Sequence, residues 1–295
     1  MLRTSMLLSS VLVNSESWYN LSSFDIQELE SVDNMLHRRI LETAKSTPIS
    51  IMHLELGTIP IRYVIKSRRL HFLQYILKQD KDSLLYKIFQ VQSRYPQKGD
   101  WILQIRQDLE DVKLTLSFDE ISILSDDAYH TKVKKAIKQS AFNWLINEKN
   151  KPWSTTPSKG SNLKYSELKL QDYFLPCSMT NKQCKILFSL CARMLPVKCN
   201  YKHSYSDLRC PVCMDTNHPD TQMHITRCDK LLESENKLVS DKVDYEDIFS
   251  TDVTKQTAVS MLFEKLLEKR RKIEKQRKMQ EKSSHDGGPS DPTLV

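Results

Sequence analysis

Apolar residues recur every three to four positions over most of the chain, the spacing that lets one side of an α-helix face a core. Ile26, Leu29, Val32, Met35, Leu36 and Ile40 form the first such series, behind Ser22-Ser23-Phe24-Asp25, where a serine can cap the helix start. A second helix opens at Ser46-Thr47-Pro48, with Pro48 in its first turn, and stops at Gly57, where a left-handed residue costs no Cβ clash. Pro60 introduces a third, with Ile61, Val64, Ile65, Leu70, Phe72, Leu73, Ile76 and Leu77 apolar and Arg62, Lys66, Arg68 and Arg69 on its polar face. Further helices are predicted at about 81–92, 100–112, 118–124 and 128–148, the last on Val133, Ile137, Ala141, Trp144 and Leu145. Beyond them the periodicity predicts helices at 165–174, 181–195 and 254–282.

The stretch 149–162 interrupts this pattern with Pro152, Pro157, Gly160 and several Ser and Thr residues, so it reads as the main linker. The expected organisation is a helical domain over 1–148, the linker, a helical connector over 163–204, a cysteine module over 205–232, a helical segment over 233–282 and a disordered tail over 283–295. Only 5 glycines occur in 295 residues, too few for a turn-rich β architecture or for phosphate-cradling loops. The fold class is therefore mainly α, a helical bundle followed by a small metal module and a long C-terminal helix.

Composition adds modest constraints. A net charge of +7 is compatible with a polyanionic partner, though it does not require one. No apolar run reaches the roughly 18 residues of a membrane span, so no membrane partner is expected. Arg3 followed by Met6 to Val13 superficially resembles a leader peptide, but no small-residue cleavage site follows, and a fold continues through Asn14-Ser15-Glu16-Ser17-Trp18. All 7 cysteines lie between Cys177 and Cys228, an odd and clustered set unlike a disulfide framework, which suits the reducing nucleus or cytoplasm.

The chemistry sits in Cys210-Pro211-Val212-Cys213 and His224-Ile225-Thr226-Arg227-Cys228. Two close pairs, offering three thiolates and one imidazole, match tetrahedral zinc: a tight turn presents the first pair and a helix the second. His218 is the competing fourth ligand, but Asn217-His218-Pro219 reads as a loop apex, so His224 is preferred. Arg209, Asp215, Asn217 and Asp220 argue that the surroundings are too polar for these to be ordinary core cysteines. Cys184 and Cys191, one heptad apart with Leu187, Phe188 and Leu195, instead read as buried packing residues. Cys177 has no partner at ligand spacing; Cys199 and His203 lack a second pair and also read as structural.

Several other patterns fail as catalytic motifs. His53-Leu54-Glu55 with Cys210-Pro211-Val212-Cys213 looks like half of a zinc deaminase pattern, yet Arg209 stands where a proline is needed, so His53 is expected on a helix surface or in packing. Asp126 and Asp127 follow Ser125 at a helix start, where carboxylates complement the helix dipole. No P-loop, dinucleotide fingerprint or Gly-flanked nucleophile is present. The basic run Lys269-Arg270-Arg271-Lys272 through Lys275, Arg277, Lys278 and Lys282 is interleaved with Glu264, Glu268, Glu274 and Glu281, and reads as a solvated helix face.

Leu7-Leu8-Ser9-Ser10-Val11-Leu12-Val13-Asn14-Ser15-Glu16-Ser17-Trp18, then Leu29-Glu30-Ser31-Val32-Asp33, Leu54-Glu55-Leu56-Gly57, Pro60-Ile61-Arg62 and Arg68-Arg69-Leu70, resemble the region that follows the polymerase core in LINE-type, non-LTR retrotransposon reverse transcriptases. The likeness continues through Gly99-Asp100-Trp101 to Cys210-Pro211-Val212-Cys213 and Thr221-Gln222-Met223-His224. The resemblance implies a thumb-like helical region that holds a template–primer duplex, and a zinc knuckle that binds RNA or target DNA. It also implies no catalytic site, since Leu124-Ser125-Asp126-Asp127 lacks the aromatic residue and hairpin of a palm motif, and the endonuclease half is not represented. The expected function is RNA or DNA binding without enzymatic activity and without a small-molecule substrate. Arg38, Arg39, Lys66, Arg68 and Arg69 are the expected phosphate contacts, and Cys210, Cys213, His224 and Cys228 the Zn2+ ligands. The alternative is a zinc-stapled protein–protein adaptor.

Overall fold

The computed structural model describes residues 3–151, 165–175, 179–215, 217–232, 244–250 and 252–285. These are mainly helical, and their only β pairings are isolated bridges between Leu56 and Leu170 and between Arg209 and Pro219. The chain divides into two units; the described part of the first comprises 3–151 and 165–171, and that of the second 172–175, 179–215, 217–232, 244–250 and 252–285.

In the first unit a π-helical turn, Arg3–Leu8, leads into the single helical turn α1 (Ser9–Val11), followed by α2 (Ser23–Leu41), α3 (Ile49–Leu56), α4 (Ile61–Leu77), α5 (Leu84–Arg94), α6 (Trp101–Asp111), α7 (Phe118–Ile123) and α8 (Asp126–Asn150). Helix α4 is central, packing against α2, α5, α6, α7 and α8. Its Leu70 and Leu73 meet Ile102 and Ile105 of α6 and the Tyr129, Val133, Ile137, Ala141, Leu145 stripe of α8 in one core. That stripe follows the predicted spacing, and the Tyr129 hydroxyl donates to the Leu70 carbonyl at 3.0 Å. The starts of the helices are equally local in origin. Ser22 and Ser117 form reciprocal capping boxes with Asp25 and Glu120, and Ser125 caps α8 ahead of Asp126 and Asp127, the role expected of those carboxylates.

Several details depart from the sequence reading. Pro48 is the N-cap of α3 rather than a residue of its first turn. Residues 165–171 form no helix: they run alongside the end of α3, with Gln171 N–H donating to Glu55 O at 3.0 Å, and only Asp172–Phe174 makes a short 3-10 turn. The departure follows from Gly57, left-handed at φ 62° as anticipated, which lets this segment approach so closely that a Cβ there would stand 2.2 Å from Leu170 N.

Helix α2 departs in the orientation of its faces. Val32, Met35 and Ile40, counted as core positions, are 36%, 49% and 49% exposed, whereas Asp33, Asn34 and His37 turn inward with Leu41. His53, expected on a surface or in packing, is among the buried residues of α3, its ring centroid 4.8 Å from that of His37. Burial pushes the His37 imidazole down to about 4 and the His53 imidazole to about 3, so both rings are neutral.

The second unit contains α9 (Asn181–Cys191), a 3-10 segment at Lys198–Ser204, the four-residue α10 (Gln222–Ile225), a 3-10 turn at Tyr245–Phe249 and the long α11 (Val253–His285). Cys184, Leu187, Leu190 and Cys191 of α9 share one core with Val259, Leu262, Phe263 and Leu266 of α11, so Cys184 and Cys191 are core residues as expected. Helix α9 stops at Cys191, because Arg193 takes a left-handed conformation at φ 53°. The proposed linker beyond 151, the tail beyond 285 and Cys177 lie outside the described residues. Among the described residues no helix is long and apolar enough to cross a membrane.

Candidate metal centre

Cys210 ends a short extended segment that pairs with residues 218–220. Its N–H donates to the His218 carbonyl at 3.3 Å, and Asp220 N–H donates to the Leu208 carbonyl at 2.7 Å. Pro211 and Val212 then turn the chain tightly, so that Met214 N–H reaches the Cys210 carbonyl at 2.9 Å and Val212 N–H points at Cys210 Sγ, 3.4 Å away. The turn closes only because Met214 is left-handed, at φ 58°. On the other side, Thr221 caps α10, its hydroxyl accepting from His224 N–H at 3.0 Å; this short helix presents His224, and Cys228, expected on the same helix, comes instead from the turn that follows it.

The outcome is a four-membered group: the ligand atoms of Cys210, Cys213, His224 and Cys228 all lie within 4.8 Å of one another. His224 Nε2 is 3.4 Å from Cys213 Sγ. For comparison, a tetrahedron with metal–sulfur bonds of about 2.3 Å has edges of about 3.8 Å, so this spacing fits a shared ion with little adjustment. Cys210 and Cys228 are buried and Cys213 is half-buried. A hydrogen bond from the Cys228 thiol holds Cys210 down to about 4, helped by the backbone N–H groups of Cys213 and Val212, and the same contact pushes Cys228 up. The thiolate is the form that binds a metal, and this turn stabilises one before any ion contributes. The group can therefore hold a metal ion.

His218 does not join the four. Its ring stacks on that of His224, with centroids 5.4 Å apart, while its Nδ1 pairs with Asp215 Oδ2 at 2.8 Å near the surface. Asp220, expected among the polar surroundings of the cysteines, is instead fully buried. It receives Arg270 of α11 in a bidentate pair and accepts from Lys198 N–H at 2.7 Å. Arg277, about two turns further along α11, donates to the carbonyls of Pro211 and Val212, the two residues between the first cysteines. The C-terminal helix thus clamps the module with two arginines of its basic run. Arg270 is buried and Arg277 half-buried, whereas Arg271, Lys272, Lys275 and Lys278 on the same helix are exposed.

The five expected phosphate contacts are not equivalent. Arg69 is buried, forks onto Asp108 of α6 at 2.6 and 3.0 Å and reaches the Trp18 carbonyl. Arg68 donates to the carbonyls of Leu8 and Leu12 and to Ser15, and Lys66 pairs with Asp111. These three spend their donors inside the first unit because α4 is its central helix. Arg39 is exposed and Arg38 half-buried. A second group that sequence spacing did not single out, Asp33, His37 and His53, also brings its ligand atoms within 4.8 Å.

No family model, curated protein or solved structure matches the chain.

Proposed function

We propose that the protein binds RNA or DNA, that a structural zinc ion holds Cys210, Cys213, His224 and Cys228 together, and that the chain carries out no reaction of its own. The observation that carries this reading is the closed donor set: three sulfurs and one imidazole nitrogen within 4.8 Å of one another. Soft thiolates select zinc over magnesium or calcium, and four protein ligands leave no position for a substrate, the arrangement of structural rather than catalytic zinc. The resemblance to the region after the polymerase core of LINE-type reverse transcriptases supports nucleic acid as the partner, in the nucleus or cytoplasm.

The exposed cations move the expected phosphate contacts. Arg271, Lys275 and Lys278 follow each other at four- and three-residue spacing on α11, all exposed, and Arg227 and Lys230 flank Cys228. With Arg38 and Arg39 they offer more accessible charge than Lys66, Arg68 and Arg69. Fluorescence anisotropy with labelled single-stranded RNA and DNA, over a range of salt concentrations, tests the proposal. Affinity should fall steeply with salt, and replacing Arg271, Lys275 and Lys278 by Gln should lower the log–log slope by about 2, at about 0.7 per released counterion. Binding that is flat in salt, or indifferent to the triple replacement, removes the phosphate-contact reading.

One observation favours a protein partner instead. Leu84, Ile88, Val91 and Tyr95, at 4-3-4 spacing along α5 and its cap, are all exposed, a stripe suited to a second helix. Under this adaptor reading partner capture is insensitive to salt and abolished by charges at Ile88 and Val91.

A further inference from the structure

Helix α2 buries the wrong residues for a packing helix: Asp33, Asn34 and His37 go inward, and larger apolar side chains stay outside. Local rules are broken in this way where a site is being built. Asp33 and His37 are one helical turn apart, on one face of α2, and are each 1% exposed. His53 of α3, 2% exposed, meets His37 edge to face. One carboxylate oxygen and one nitrogen from each ring come within 4.8 Å of one another.

The hydrogen bonds decide which atoms are available. His53 Nδ1 lies 2.8 Å from Thr58 Oγ1 and 3.2 Å from the Thr58 carbonyl. A carbonyl only accepts, so Nδ1 carries the proton and Nε2 keeps its lone pair, the arrangement by which an outer hydrogen bond orients a metal-binding histidine. His37 has no hydrogen-bond partner at either ring nitrogen. Burying such a ring unsatisfied costs free energy, because its nitrogens lose water and gain no partner, and a coordinating ion would offset that loss. Asp33 accepts from Arg3 at 2.6 and 2.8 Å, and each carboxylate oxygen retains a second lone pair.

We propose that Asp33, His37 and His53 form a second metal site, taking one borderline divalent cation such as zinc through two imidazole nitrogens and one carboxylate oxygen. Imidazole donors select such ions over calcium and magnesium. The ion clips α2 to α3. Arg3 shares the carboxylate and repels the cation, so this site fills after the thiolate centre. The inference does not depend on nucleic-acid binding or on the cysteine module.

Cobalt(II) titration of the full, metal-stripped chain separates the two sites. The wild type should take up two equivalents: the first with the intense charge-transfer absorption of thiolate coordination, the second with weak d–d bands alone. His37→Gln and His53→Gln should each lose the second equivalent and keep the first, and Arg3→Gln should keep both and bind the second more tightly. Where a histidine variant fails to fold, the Arg3→Gln titration decides. Saturation of both the wild type and Arg3→Gln at one thiolate-bound equivalent overturns the proposal, as does a second equivalent that survives the loss of His37. Loss of the charge-transfer band alone counts against the cysteine centre and leaves this site standing.

Discussion

Arg270 and Asp220 form a two-pronged ion pair at 2.6 and 2.8 Å, with side chains 5% and 0% exposed, and this pair joins the C-terminal helix to the strand-like segment that leads into α10. Each charge has lost its water, so each depends on the other. Arg270→Met leaves the carboxylate uncompensated and should cost about 3–5 kcal/mol in urea denaturation, while Arg270→Met with Asp220→Asn should recover much of that loss. A single replacement that costs nothing would mean the pair contributes no net stability.

Removing the metal should disturb more than the module itself. Sequence spacing suggests that Cys213→Ser loosens only 205–232, but Cys210, Val212, Ile225 and Cys228 share one core with Leu187 of α9 and Phe263 of α11. Amide exchange is therefore expected to accelerate in α9 and α11 as well, in Cys213→Ser and after chelation, while α4 and α8 keep their protection. Acceleration confined to 205–232 would restore the narrower expectation.

Arg277 touches no proposed ligand, yet its guanidinium holds the carbonyls of Pro211 and Val212 inside the cysteine turn. Arg277→Ala should weaken zinc binding by about tenfold, in the range usual for partners that orient a ligand loop. Competition with a chromogenic chelator reads this directly, and Arg271→Ala on the exposed face of α11 serves as the control.

Gly57→Ala should destabilise the first unit by about 2 kcal/mol or more. A left-handed non-glycine residue costs about 1–2 kcal/mol, and the added methyl would meet the 169–170 backbone. Thermal unfolding followed by circular dichroism gives the value; an unchanged midpoint would show that 165–171 is not held against α3.

His71 gives the first unit an acid-sensitive element. Burial, with the neighbouring His130 imidazole 4.3 Å away, pushes the His71 ring below its ordinary 6.5. A depressed histidine keeps its stability above the unfolded value and loses it as pH falls, because the unfolded chain takes up the proton first. Stability should decline as pH drops below 6.5, His37 and His53 contributing alongside His71, so His71→Phe should make that part of the profile shallower without abolishing it. An identical decline in the variant would place the acid sensitivity elsewhere.

The features that were legible in the chain are those set within a few residues. Caps at Ser22 and Ser125, the turn at Gly57 and the α8 stripe follow from spacing and side-chain chemistry, as does the grouping of Cys210, Cys213, His224 and Cys228, because two short turns preset most of it. Residues 165–174 misled because an apolar period of three to four also suits a segment laid against Gly57.

What one residue does with its charge was not legible. Arg68, Arg69, Arg270 and Arg271 are all basic residues on helices with mixed polar faces, and nothing local separates them. Only packing made α4 the centre of the first unit, so that Arg68 and Arg69 turned inward, and set Arg270 against Asp220 while leaving Arg271 exposed. The same holds for Asp33, His37 and His53, drawn from two helices whose mutual orientation no spacing encodes. Sequence by itself determined the helices and the local metal turn; tertiary structure decided which polar groups are buried, because a charge enters a core only where a partner distant along the chain arrives to replace its water.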